Sequence, residues 1–300
     1  MSSKTTLIDT HHHFWDLALK KHAWLLEPMA GTHLGDTALL CHCYLPEDFL
    51  KDSADFNVTK SVHIQAGWNR QDTLGEAQWL AKLHAQQGFP HAVVAYADLS
   101  HRDVEQTLAQ LTTLPLVKGI RQIVSWHEDE FYSGCDKDYI TLERWKKQFA
   151  LLRKYHLSFD LQLYPEQVDT LLPVLIYNDE TLVVVNHALM PRQWDRDYLL
   201  NWRKQLKKLS DLPNTHIKLS GLMMFDHQWT TQSVQEIVAP VVDLFGPTRC
   251  MLGSNFPVDK LYGSYQAIVS AYLQAIASYS VQEQAAICYQ TAVGFYRLND

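Results

Sequence analysis

Eight short β-rich runs recur along the chain, and each is followed by a longer stretch in which apolar residues return every three or four positions. The runs span residues 6–11, 61–66, 92–97, 117–124, 157–163, 182–187, 216–220 and 249–254. Helical spacing marks 74–86, 103–111, 141–154, 166–175, 198–209 and 231–245. Such alternation predicts an α/β protein with a parallel sheet and helical crossovers, and eight units is the number that closes into a (β/α)8 TIM barrel. An open, doubly wound sheet is the competing architecture. It would gather polar strand ends at one crevice only. Here nearly every run ends in polar residues: His11 and His13, His63 and Gln65, Asp98, Arg121, Asp160 and Gln162, His187, Lys218 and Ser220, then Asn255. In a barrel these ends ring one mouth, which predicts an enzyme site.

No repeat or Pro/Gly-rich linker divides the chain, so residues 1–300 are read as one domain. The gap between the first two runs, about residues 17–60, is long for a βα connection and is expected to cover the barrel mouth or pack beside it. With 47% hydrophobic residues the chain can fill a large core. A formal charge of −7 without a basic block argues against nucleic acid and anionic membranes as partners. No apolar run is long enough for a membrane span, and residues 1–6 lack the core of a secretion signal, so a cytoplasmic location is expected. The five cysteines, Cys41, Cys43, Cys135, Cys250 and Cys288, show no disulfide spacing. Serine-hydrolase, dinucleotide and phosphate-loop motifs are absent.

Strand alternation puts His11 and His13 on one face, about 6.6 Å apart along the chain, where two imidazoles can lean onto one ion; His12 then faces the helices or solvent. His187 ends the apolar run "LVVVNHA" as a third metal ligand, a catalytic group or a satisfied core residue. His63 with Gln65, and Asp160 with Gln162, are same-face pairs suited to substrate contacts or to satisfying one another. Arg121, a permanent cation among apolar neighbours, requires a partner: Asp98 or Asp160 in a structural ion pair, or a substrate carbonyl or carboxylate. Trp15, Trp24, Trp68 and Trp126 follow strand ends or lie in the long first loop, where aromatics wall a ligand or pack a core.

The motifs "DTHHHFWD", "VHIQAGW", "KGIRQ", "FDLQLYP", "VVVNHALMP", "IKLSGL", "LGSNFPVD" and "GFYRL" together resemble the amidohydrolase-related family of the amidohydrolase superfamily, in its branch of sugar lactonases and pyrone-dicarboxylate lactonases. The resemblance spans the chain. It implies a (β/α)8 barrel whose metal or catalytic set maps to His11, His13, His187 and position 255, with one zinc or manganese ion or none. The family's aspartate stands as Asn255 here, and an amide lacks the basicity to take a proton from water. Asp259, four residues on, is the carboxylate that could replace it or cap the next helix; otherwise His187 or His63 is the base. The expected activity is opening of a small lactone, with Arg121 and His187 catalytic and Trp68 among the substrate contacts. Non-oxidative decarboxylation of an aromatic acid, or ligand binding without catalysis, are the alternatives.

Overall fold

The computed structural model describes residues 4–298; residues 1–3 of the stretch read for a secretion signal, and 299–300 of the expected domain, lie outside them. The strands are β1 (Thr6–His12), β2 (Asn57–Ile64), β3 (Ala92–Tyr96), β4 (Val117–Arg121), β5 (Ser158–Leu161), β6 (Val183–Val185), β7 (Thr215–Leu219) and β8 (Cys250–Leu252). They pair in sequence order and always in parallel. β1 and β8 meet through a parallel bridge between His12 and Phe256 and through the hydrogen bond from Asn255 N to His11 O at 2.7 Å. The architecture is the (β/α)8 barrel the alternation predicts.

Most expected runs outlast their strands at the carboxyl end. The run at 182–187 forms ladder only over Val183–Val185, and that at 117–124 only to Arg121. The polar residues there leave the sheet to turn toward the mouth. β1 departs from simple alternation too. Its register against β2 shifts between Asp9 and His12. The extra residue of this bulge lets Asp9 and His12 both face outward while His11 and His13 turn inward. Asp9 accepts from Tyr265 Oη at 3.0 Å and from Ser254 N at 2.9 Å. His12 bonds Ser61 Oγ at 2.9 Å and packs on Phe49 of the helix Pro46–Asp52.

The helix Arg196–Ser210 shows how the outer layer is held. Asp195 caps it by accepting from Tyr198 N at 3.0 Å, and Tyr198, Trp202, Leu206 and Leu209 bury one stripe. A fully buried side chain of this kind contributes about 1.5–3 kcal/mol. The helix expected over 141–154 breaks at Ala150 into Glu143–Phe149 and Leu151–Lys154. After β8 come Tyr265–Ala275, Val281–Ala285 and Thr291–Tyr296, and Phe295 and Tyr296 of the last pack against the interior residues Ile8, Val62, Ile64, Val94 and Met251. Among the described residues no helix is long and apolar enough to cross a membrane.

Candidate active site

The carboxyl ends of the strands open into a cavity of about 740 Å³. His13, Arg121, Gln162, His187 and Asn255 reach it from five positions around the barrel. Trp68 lines it from the loop after β2, and Lys20, Lys21, Trp24 and His33 line it from the segment between β1 and β2. That segment crosses the mouth, as one of the two sequence readings expected. It is fastened by hydrogen bonds from Trp24 Nε1 to Ala66 O at 2.8 Å and from Tyr262 Oη to Leu34 O at 2.7 Å.

His187 does not end β6. It begins a four-residue left-handed turn, with φ of 54°, 51°, 63° and 48° at His187, Ala188, Leu189 and Met190. Such a conformation costs an L-residue about 1–2 kcal/mol, so neighbours must hold it. Met190 N donates to His187 O at 2.7 Å, and Trp202 Nε1 to Ala188 O at 2.8 Å. The ring itself contacts Ser220 Oγ through Nδ1 at 3.1 Å, leaving Nε2 without a hydrogen-bond partner among the described residues. Gly221, at φ 63°, provides the room.

His13 Nδ1 lies 2.7 Å from Ile64 O, and because a carbonyl only accepts, this nitrogen carries the proton and Nε2 keeps its lone pair. The His11 ring lies 5.2 Å from that of His13 and 4.5 Å from that of His187. Neither of its nitrogens has a hydrogen-bond partner among the described residues. Burial, reinforced by neighbouring cations, holds all three imidazoles well below the usual histidine range, so they are neutral near pH 7.

Arg121 is 5% exposed, and its partners are neutral: Nη1 donates to Gln162 Oε1 at 3.0 Å and Nη2 to Gln65 O. Nε has no partner. Burial lowers its pKa to about 10 against the opposing pull of Asp160 and Glu76, so it remains a cation. The ion pair with Asp98 or Asp160 considered from sequence does not form. Asp98 accepts from Gln122 and Ser100, and Asp160 pairs with Lys218.

Several expected contacts lie elsewhere. Asp160 faces inward but is fully buried beneath the cavity, accepting from Lys218 Nζ, Asn186 Nδ2 at 3.0 Å and Tyr296 Oη at 3.0 Å. Lys218, one of the polar strand ends, belongs to this lower layer, where its Nζ also donates to Thr10 O at 2.8 Å. His63 does not face the cavity: the alternation that turns Val62 and Ile64 inward turns His63 toward the helix Gly75–Gln87. There its Nδ1 accepts from Phe14 N at 3.0 Å and its Nε2 lies 3.4 Å from Glu76 Oε1. Gln65 turns its oxygen to Gly67 N at 2.9 Å and lines a small recess beside the main cavity.

Glu76 was not singled out from sequence. It is buried, accepts from Ala66 N at 2.7 Å, and lies between His63 and His22. Burial raises its pKa, but the two histidines outweigh that and bring it to about 2. The signal was present: Glu76, Leu80 and Leu83 occupy one helical stripe, and an acid in that stripe is buried with the leucines.

Asn255 is 1% exposed and sits at φ 59°, a region asparagine tolerates better than most residues. Its Nδ2 donates to Asp259 Oδ1 at 2.7 Å. Asp259 does not enter the cavity. It lies fully buried behind Asn255 with Oδ2 unpartnered, and burial, partly countered by Asn255, raises its pKa to about 8.

To a divalent ion the site offers three neutral imidazoles and no carboxylate. His11, with two orphaned nitrogens, is the strongest feature in favour. Yet among the described residues no three His, Cys, Asp or Glu side chains gather as a ligand set. Asn255 supplies no charge, and a dication here would face the buried cations Arg121 and Lys218 without a carboxylate of its own.

An amidohydrolase family model matches residues 8–298. An uncharacterized protein y4mH of Sinorhizobium fredii is 34% identical over 99% of this chain and 100% of its own length. An L-fucono-1,5-lactonase of Burkholderia multivorans is 26% identical, covering 97% of this chain and 96% of that one. Among solved structures, an amidohydrolase of Burkholderia multivorans with bound zinc superimposes with a TM-score of 0.82 at 24% identity, covering 98% and 100% of the two chains; that likeness concerns the fold alone.

Proposed function

The chain belongs to the amidohydrolase family, and from that premise we propose that it opens a small lactone by adding water to the ring carbonyl. The observation that carries this reading is the meeting of Arg121, a buried cation without a carboxylate partner, with the neutral imidazole of His187 in one cavity. The guanidinium N–H groups stabilise the oxyanion as water adds. His187 takes the proton from that water through Nε2 and returns it to the ring oxygen as it leaves. Asn255, held from behind by Asp259, offers its amide oxygen to orient the water. Gln162 fixes the arginine, and Trp68 provides an apolar wall for the ring.

A base whose pKa is held low is weak, which favours an ester over an amide because the ester leaving group needs less assistance. Every step runs on the chain's own residues, because a dication among His11, His13 and His187 would face the cations Arg121 and Lys218 with no carboxylate beside it to offset them. The test is ring opening across a panel of aldonolactones beginning with L-fucono-1,5-lactone, followed by proton release. Turnover is expected, with Arg121→Met and His187→Gln each lowering kcat by about 100-fold or more. Absence of turnover across the panel would overturn the reading.

A further inference from the structure

The cavity changes character from the strand ends to the loops above them. At the strand ends it is polar, with His13, Arg121, Gln162, His187 and Asn255. The loops add apolar side chains: Trp24, Met29 and Leu34 from the segment between β1 and β2, Trp68 after β2, Ile123 after β4 and Met224 after β7. The polar side chains that line the cavity from the loops are already committed to the protein. Both indole N–H groups donate internally, Trp24 to Ala66 O at 2.8 Å and Trp68 to Asp72 Oδ2 at 3.0 Å. Lys21 pairs with Asp72 at 2.8 Å, and Arg70 with Asp136 at 3.6 Å. Ser133 Oγ donates to Cys135 O at 2.9 Å, and Asn69 Oδ1 accepts from Gln71 N at 3.0 Å. Thr32 Oγ1 accepts from Leu34 N at 3.3 Å, and His33 Nδ1 lies 3.3 Å from Phe131 O. Lys20, the remaining one, is exposed at the rim.

We infer that the substrate is an aryl-substituted lactone, its ester seated at Arg121 and His187 and its aromatic ring against Trp24, Met29, Trp68 and Met224. The inference rests on the lactonase reading above and narrows its substrate class away from polyhydroxylated sugar lactones. A cavity of about 740 Å³ lies in the range that encloses drug-sized ligands, well beyond what a single lactone ring fills. A sugar hydroxyl placed among the loop residues would give up water and meet side chains whose polar atoms are already spent, which is a net cost. An aryl ring gives up nothing of that kind. The indoles offer it offset or edge contacts, and the flexible thioethers adapt to its edge. Sugar lactones can still open at the strand ends, but with a high KM.

The experiment separates binding from turnover. Binding is measured by calorimetry with two lactams, whose amide bond resists opening: γ-phenyl-γ-butyrolactam and a γ-(trihydroxypropyl) counterpart of similar size. Ring opening is measured as kcat and KM on the two matching lactones, with the wild-type chain and with Met29→Gln. The phenyl lactam is expected to bind at least about tenfold more tightly and with a more negative heat-capacity change, and the phenyl lactone to show a KM lower by a similar factor. Met29→Gln sets an amide into the apolar wall at nearly equal size and should shrink that preference. Equal binding of the two lactams, preference for the triol, binding of neither, or an undiminished preference in Met29→Gln overturns the inference. Selective binding of the phenyl lactam without opening of either lactone would uphold the aryl site while overturning hydrolysis; equal kcat/KM on the two lactones would do the reverse.

Discussion

The ring of His187 fills the space that a side chain on Gly221 would need: a Cβ there would lie 2.2 Å from His187 Nδ1. Gly221→Ala therefore has to displace the ring or the turn that carries it, and adds a left-handed alanine costing about 1 kcal/mol or more. We expect kcat for lactone opening to fall at least about tenfold, with a lower Tm. An unchanged kcat would remove His187 from the reaction.

Asp160 and Lys218 form an ion pair sealed from solvent on both sides. Removing one partner leaves the other charge buried alone, so Lys218→Met and Asp160→Asn should each destabilise the fold by about 3–5 kcal/mol in denaturant melts. The double variant should recover part of that loss. Additive single effects would show that the two charges do not depend on each other.

Asp259 gives the fold a defined pH response. Its folded-state pKa is about 8, above the ordinary carboxylate value of 3.8, so between about pH 4 and pH 8 the folded chain holds a proton that the unfolded chain releases. Its contribution to stability thus falls as pH rises through that window, by up to about 1.4 kcal/mol per pH unit, and is flat above it. Asp259→Asn should flatten this part of a stability-versus-pH curve. A variant that keeps the wild-type slope would place the proton elsewhere.

Elemental analysis of untagged protein should find well under one zinc or manganese per chain, and exhaustive chelation should leave lactone opening unchanged, because a dication among the three imidazoles would meet the buried cations Arg121 and Lys218 with no carboxylate to offset them. A full equivalent of metal whose removal abolishes turnover would contradict this.

Strand order and the convergence of His13, Arg121, Gln162, His187 and Asn255 were legible because each follows a short apolar run, and parallel strands of a barrel end on the same side. Depth was not legible. Asp160 and Gln162 share a face, but two residues along a strand span about 6.6 Å, enough to separate a buried layer from the cavity above it. The inward turn of His11 and His13 was anticipated from alternation alone, although a bulge produces it, and alternation from Asp9 would have reversed it. His63 was misplaced because nothing in "VHIQA" tells which alternating set faces the axis.

The wall of the cavity formed by Lys20, Trp24 and His33 adds no strand to the eight-stranded ladder, and it is anchored to the barrel chiefly through its own backbone carbonyls and a few side-chain tethers. On the proposed reading, part of the ligand-facing wall is thus encoded apart from the strand ends that carry Arg121 and His187. Exchange of that segment would therefore reshape this wall of the cavity while leaving the ladder and its strand ends in place.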